Sequence, residues 1–456
     1  MFSEREVRVH VQSGLSPSTH GADAVLRSFG VTLELGSRRP LPHLAYLEAL
    51  ADCEEDTPRW QALTAGYAAL QLFDLWVEHD LGAIAPSDLE LRRVRKRLEL
   101  VPSGDPIRRC LSHLVDVMER ARAPRGSDEH RLRGYEAGRV LAAYGKLLQY
   151  ESSWSLSRDV HETLIDYARG ADDVERLLDS MLMVAFCHRM LGQLDVARDA
   201  YTRLRGVATE AKSEQYLLLS ELGFAKIAIE RGNLPAAAGM LDQILIDSRT
   251  NGQETVRAKA LMDRARVANQ LGDLTAAAVL GHQALECSTD PMERDRILVN
   301  LGMTLTHMGL WSEARDAYLV VTAAAQEVST RWLAHINLME LAYLEGSELQ
   351  FEQYRRSVSG VQLPPYIEAV FHETCANGFC RFGRLDEATV SFRRMLDVAE
   401  RHSLHEFVIK AASALEDVAR VKPPLVETLR RSIEEQPREV ATVASSIARM
   451  RAHAGL

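Results

Sequence analysis

Two histidine–cysteine groupings contain the residues whose types could support metal or nucleophilic chemistry. His372 and Cys375 lie three positions apart, and Cys380 follows five positions later. On a single helix Cys380 points about 140° away from Cys375, so the three side chains cannot converge on a tetrahedral zinc ion. Cys187 and His188 are adjacent, and neighbouring helical side chains diverge by about 100°, which separates a nucleophile from its base. We therefore predict structural cysteines, no metal site and no catalytic residue.

Neither a phosphate loop nor a nucleic-acid motif accompanies these residues. The fragment Gly134–Gly138 lies in a helical run, without a preceding strand or a following Gly-Lys-Ser/Thr. The basic run at 92–97 follows a capping-box signature formed by Ser87 and Glu90, which predicts that it lies on a helix. No aromatic residues alternate with its arginines, as stacking on single strands requires. We expect a solvated helix face there, with binding to nucleic acid or to an acidic partner as the alternative.

The composition favours a helical cytoplasmic protein. The chain has 456 residues, a net charge of −10 and six cysteines, too few for a disulfide framework. Only Pro235 and Pro291 occur between Pro124 and Pro364, so long stretches can be helical without interruption. No apolar run approaches the ~20 residues of a membrane helix, and an acidic chain argues against a nucleic-acid partner. We expect no membrane association and no cofactor.

A repeat is the most informative pattern in the chain. Glycines recur at spacings of 37 or 40 residues: Gly192, Gly232, Gly272, Gly309, Gly346 and Gly383. Small residues predominate seven positions before and five after each glycine, and several units carry an aromatic or aliphatic residue nine after. Glycine ends a helix in the left-handed conformation, and small residues let two helices approach closely. Each unit is therefore predicted to be a helical hairpin that buries its faces by stacking on its neighbours.

Three segments have the full pattern: Gly192–Tyr201, Gly309–Tyr318 and Gly383–Phe392. With the pair Leu301-Gly302 on a first helix, they resemble the tetratricopeptide repeat (TPR), in its bacterial-type long form.

This chain departs from the family in several places. The family's tryptophan at the start of the first helix and its closing proline are absent, and most units exceed the family length of about 34 residues. The Gly346 unit has Phe351 where a small residue belongs. The resemblance covers residues 132–401 and implies an all-α fold, a right-handed superhelical solenoid of about seven hairpins.

The remaining segments flank this array. Residues 1–40 are predicted to be an irregular N-terminal arm, and residues 41–124 an N-terminal helical module. The solenoid is assigned to residues 130–402. Because a stacked array needs a polar end, the helical stretches in 403–456 are predicted to cap it.

The resemblance also implies which residues meet a partner, because the first helix of each TPR hairpin lines the concave groove. Positions 13, 9, 6 and 2 before each turn glycine share one helix side. Acidic residues lie nearby, namely Glu230, Asp263, Glu340 and Glu373, so the groove is mixed in charge. The candidate partner-binding residues at these positions are Lys226, Lys259, Arg266, Gln270, Arg296, Asn300, His307, Asn337, Asn377 and Arg381. Among them, Arg266 and Arg296 are predicted to select an acidic segment or a free carboxylate. A solvated polar face is the alternative.

These patterns predict a non-catalytic scaffold or adaptor that binds a peptide or protein segment in the groove. One alternative is a bacterial regulator, in which a peptide ligand on the TPR sensor controls the N-terminal helical module as effector. A structural subunit of a larger assembly is a third, weaker interpretation.

Overall fold

The computed structural model describes residues 43–80, 88–120, 128–151, 153–325, 327–361, 363–401, 404–419 and 437–455. These ranges contain twenty helices and no strand, which confirms the all-α prediction, and they divide into two compact units. The predicted arm at 1–40, the capping residue Ser87 and the part of the predicted cap at 420–436 lie outside the described residues.

Unit 1 combines the front helices with the first hairpins. Its helices are α1 (Leu44–Ala51), α2 (Pro58–Asp80), α3 (Asp88–Leu100), α4 (Pro106–Arg120), α5 (Asp128–Tyr150), α6 (Trp154–Ala171), α7 (Val174–Met190) and α8 (Leu194–Glu210) up to residue 207. One buried core runs from Ala45 to Tyr167. Within it the Tyr46 hydroxyl donates to the Tyr144 hydroxyl at 2.8 Å. The front helices therefore share their core with the hairpin α5–α6.

Unit 2 contains the rest of the array. Its helices are α9 (Glu214–Glu230), α10 (Leu234–Thr250), α11 (Glu254–Gln270), α12 (Leu274–Cys287), α13 (Pro291–His307), α14 (Trp311–Ala324), α15 (Val328–Leu344), α16 (Glu348–Val358), α17 (Pro365–Arg381), α18 (Leu385–Arg401), α19 (His405–Ala419) and α20 (Arg438–His453). From α9 to α18 they form five hairpins in chain order, and consecutive helices pack against each other, except that α17 packs on α15 and meets α16 through side chains such as Phe351 and Phe379.

The turn between α11 and α12 shows why the glycine column ends helices. Gly272 has a φ of 81°, a left-handed conformation that side chains disfavour. The amide of Asp273 donates to the Ala268 carbonyl at 2.9 Å, which satisfies a carbonyl at the helix end. The Asp273 carboxylate then accepts from the Ala276 amide at 3.0 Å and caps α12. One Gly-Asp pair thus ends one helix and starts the next.

Glycines inside helices make room for aromatic rings, both within a hairpin and between successive hairpins. A Cβ on Gly302 of α13 would lie 2.5 Å from the buried ring of Tyr318 on α14. A Cβ on Gly378 of α17 would lie 2.2 Å from the ring of Phe351 on α16. Phe351 stands where most other units have alanine. It is accommodated because Gly378 of the next hairpin leaves room for its ring.

We predict that Gly302→Ala lowers the free energy of unfolding by about 1–3 kcal/mol, because the fully buried Tyr318 cannot move away from the added methyl. Gly239→Ala on α10 is the matched control, since its Cβ would meet nothing within 4 Å. That change should stabilise the protein by roughly 0.5–1 kcal/mol through helix propensity. Urea unfolding of both variants measures the difference, and equal midpoints would contradict the packing described above.

The two terminal helices lie in different places. Helix α19 packs on α18 and buries Phe407, so it continues the stack. Helix α20 packs instead against α12 and α14, where Val443 and Ile447 enter their core. Its Arg451 forms an ion pair with Asp316 of α14. The stretch expected as a terminal cap therefore places its last helix along the side of two middle hairpins.

Candidate functional site

The cysteines considered for chemistry are buried. Cys187 is fully buried and Cys375 is 3% exposed, and burial raises the pKa of each thiol to about 12. Thiols with such a pKa stay protonated at neutral pH and are poor nucleophiles and ligands. His188 places its Nδ1 2.6 Å from Oε1 of Gln193. Within the described ranges, no three His, Cys, Asp or Glu side chains lie together as a metal site needs.

The basic run lies on α3 and is partly engaged in the structure. Arg95 donates to Asp116 at 2.7 Å and also pairs with Glu119 of α4. Arg93 and Lys96 are exposed, as expected for a solvated helix face. Among the described helices, none is long and apolar enough to cross a bilayer.

The inward residues of α9, α11, α13, α15 and α17 form one concave face, called the groove below. We infer its curvature from Tyr366 on α17 and Arg266 on α11, which belong to hairpins with two others between them. The protein around the Tyr366 phenol raises its pKa, and the nearby charge of Arg266 opposes that rise. Two side chains this far apart along the stack influence each other only if the first helices curve towards one another.

Ion pairs link successive first helices across the groove. Lys226 of α9 places its Nζ 2.8 Å from Oδ2 of Asp263 on α11. Lys259 of α11 donates to Glu293 of α13 at 2.8 Å. Both acids are at most 6% exposed, so their charges depend on these lysines. We infer that Lys226 and Lys259 hold neighbouring hairpins together.

Arg296 has the same structural role. Its guanidinium donates to both carboxylate oxygens of Glu327, at 2.8 and 2.7 Å. Glu327 precedes α15, is 6% exposed and also accepts from the Thr330 hydroxyl at 2.5 Å. We expected Arg296 to be a solvated side chain available to a ligand, but its bidentate pair with Glu327 already uses the donors that a carboxylate would need.

Four more predicted residues differ in how they are engaged. Nδ1 of His307 lies 3.0 Å from Oδ1 of Asn269, and burial lowers the pKa of this histidine. Asn377 hydrogen-bonds with the phenol of Tyr343. Gln270 and Arg381 are exposed at the ends of their helices.

In the three remaining predicted residues, side-chain polar groups have no hydrogen-bond partner in the described chain. Arg266 is half-buried, and its Nε is shielded from solvent without a hydrogen bond. Asn337 of α15 is 6% exposed, and its Nδ2 is likewise buried and unpartnered. The side chain of Asn300 on α13 is half-buried, with no hydrogen bond within the described ranges. Unsatisfied buried donors are costly, so this part of the groove suits an acceptor from outside the chain.

The repeat register explains why Arg266 is unpaired. Lys226 stands six positions before its turn glycine, and its partner Asp263 stands nine positions before the glycine of the next hairpin. Arg266 also stands six positions before its glycine, but the corresponding position in the next hairpin is Asn300. An amide replaces the carboxylate there. The counter-charge that Lys226 has is therefore missing for Arg266.

Turn geometry, small-residue packing and inward polar columns agree with the repeat predicted from the sequence. The hairpins form a TPR-like array. Two Rap proteins of known structure are similar to it. One, complexed with competence and sporulation factor, has a TM-score of 0.49 and 14% identity, covering 75% of this chain and 98% of that one. The other, a plasmid Rap conjugation gene regulator in complex with a Phr peptide, has a TM-score of 0.43 and 14% identity, covering 80% and 99%. No family model and no curated protein sequence matches the chain.

Several residues of the TPR-like groove escaped the sequence analysis. Glu293 and Glu327 lie at the starts of α13 and α15, outside the four columns that were read. Tyr366 was missed for the same reason, since it lies at the start of α17, outside these columns. Comparing the column six before each glycine with the column nine before the next would have separated Lys226 from Arg266.

Proposed function

We propose that this protein is a non-catalytic adaptor whose unit 2 groove binds a peptide or an extended protein segment. The bound segment presents an acidic side chain or a free carboxylate to Arg266. The observation that supports this proposal is the half-buried, unpartnered Arg266 in a groove where Lys226, Lys259 and Arg296 have acidic partners. A carboxylate from outside would supply the charge that Asn300 does not.

The neighbouring amides favour a peptide over a small anion. Asn337 and Asn300 lie on the two first helices that follow Arg266 along the stack. An amide side chain can donate to a peptide carbonyl and accept from a peptide N–H. Because Nδ2 of Asn337 is buried without a partner, a backbone carbonyl at that position would remove an unsatisfied donor. A cytoplasmic location belongs to the proposal, supported by six free cysteines.

The proposal is tested by selecting ligands with the full-length protein. Random dodecapeptides, with free termini and with blocked termini, are selected on the wild type and on Arg266→Ala in parallel. We expect peptides with an acidic residue or a free C-terminus to be enriched on the wild type and at least tenfold less on the variant. No enrichment on the wild type, or equal enrichment on both proteins, would overturn the proposal. Circular dichroism of the variant confirms that it is folded.

The organisation of the chain favours a second candidate, a peptide-responsive regulator. The front helices belong to unit 1, and all ten predicted groove residues belong to unit 2. A peptide-responsive regulator needs a sensor and an effector in separate parts of the chain. Hydrogen exchange of the full chain with a selected peptide tests it, since a regulator should change amide protection in α2–α4, whereas an adaptor should change it only around the groove.

A further inference from the structure

The inward column six positions before each turn glycine carries an ordered set of charges. From α9 to α17 it reads Lys226, Arg266, Met303, Glu340 and Asn377. Cations stand at one end, an apolar residue stands in the middle and an acid follows. Lys226 is engaged with Asp263, so Arg266 and Glu340 are the two charges of this column that face the groove without a counter-charge from the described chain.

Glu340 is a half-buried carboxylate on α15. No cation of the described chain lies within ion-pair distance of it. Lys410 of α19 is engaged elsewhere, 3.5 Å from Glu373 and 2.9 Å from Glu406. Burial and the negative charge of Glu373 raise the pKa of Glu340 to about 7, and a hydrogen bond with Tyr343 opposes only part of this rise. The structure thus keeps an acid at a position that disfavours its charge.

Two neighbours connect Glu340 with the peptide site. Asn337 stands one helical turn before Glu340 on the same face of α15, and its buried Nδ2 has no partner. Met303 lies between Arg266 and Glu340 in the column and is 38% exposed, a large apolar surface open to solvent. Along the groove, Arg266 is therefore followed by the apolar Met303 on α13 and then by the Asn337 donor and the Glu340 carboxylate on α15.

We infer that the groove binds its peptide in a single direction, with an acidic group at Arg266 and a basic side chain or amino group at Glu340. This inference rests on the proposed function. One hairpin lies between the two charges, and adjacent helices pack about 8–10 Å apart, so the charges are at most about 16–20 Å apart, and the curvature of the groove brings them closer. An extended peptide rises about 3.3 Å per residue, which places its base and acid at most about six residues apart.

The experiment uses random dodecapeptides with blocked termini, so that every charge comes from a side chain. They are selected on the full-length wild type, on Glu340→Gln and on Glu400→Gln, a control at an exposed glutamate of α18. We expect wild-type and control ligands to carry a base and an acid in one fixed order at one spacing. On Glu340→Gln the acid should remain enriched and the base should not. A peptide from the wild-type selection should bind Glu340→Gln about tenfold more weakly.

The two proposals fail in different ways. Acid-bearing ligands without an accompanying base, a base in either order, or base enrichment that persists on Glu340→Gln would overturn the directional inference and leave the adaptor function standing. Absence of any enriched peptide on the wild type would overturn the adaptor function itself. Because glutamine keeps the shape of glutamate, a folded variant is expected, and its thermal unfolding is measured alongside.

Discussion

Replacing Arg266 by alanine should lower the affinity for a selected acidic peptide about 10- to 100-fold while leaving the free protein as stable as the wild type. A hydrogen bond to a charged group contributes about 1.5–3 kcal/mol, which is the source of this range. Stability should change little, because Nε of Arg266 has no hydrogen bond and no ion pair of the described residues includes this side chain. Isothermal titration and urea unfolding measure the two quantities. Arg393→Ala, at an exposed position of α18, is the matched control.

Arg296→Ala should show the opposite pattern. Its removal leaves the 6% exposed carboxylate of Glu327 without its cation, and an unpaired buried charge destabilises a fold. Since the Arg296 side chain is 46% exposed, solvent screens the pair and we expect a loss of about 1–2 kcal/mol rather than the full cost at a dry site. If Arg296→Ala weakens peptide binding as much as Arg266→Ala does, the distinction between a paired and an unpaired arginine is wrong.

Glu340 should make the stability of the protein depend on pH around neutrality. Its pKa is about 7 in the folded protein against an ordinary value of 4.5, because of burial and Glu373. A raised pKa means that the folded state holds the proton more tightly, so this residue lowers the unfolding free energy as pH rises through about 7. At pH 8 Glu340→Gln should therefore be more stable than the wild type, by about 1–2 kcal/mol after allowing for partial exposure.

The same comparison near pH 4.5 should show no difference, because Glu340 is then protonated and resembles glutamine. The groups that face it are Glu373 on α17, Tyr318 on α14 and Tyr343 on its own helix. Neither tyrosine titrates near neutrality, since burial raises the pKa of both. Thermal unfolding across this pH range measures the effect, with Glu400→Gln as control. Parallel curves for wild type and Glu340→Gln would show that the carboxylate is well solvated.

The sequence predicted the parts of the fold that depend on local chemistry. Six glycines in register predict six helix ends, and each of them has a positive φ in the structure. A residue whose fit depends on another hairpin was harder to interpret. Phe351 breaks the small-residue column, and only the structure shows that Gly378, in the next hairpin, leaves room for its ring.

The groove was predicted in outline but not in its pairing. Counting back from the glycines identified the helices and the inward columns, because helical periodicity alone determines which side a residue occupies. Which cation meets an acid depends on the offset between neighbouring helices, and a single helix does not encode that offset. Arg266 and Arg296 were therefore predicted to have the same role but differ in the structure, one unpartnered and the other bound to Glu327.

Helix α20 changes how the array can come apart. A linear stack can fray from its last unit, since each hairpin touches only its neighbours. Here the chain continues beyond α19 and returns to α12 and α14 through Val443, Ile447 and the Arg451–Asp316 pair. The hairpins α15–α16 and α17–α18 thus lie inside a loop of chain that is closed by a contact between distant residues. A force applied at the C-terminus therefore acts first on α12 and α14, in the middle of the array. The order in which the hairpins unfold then depends on the contact of α20 with these helices and not on position along the sequence.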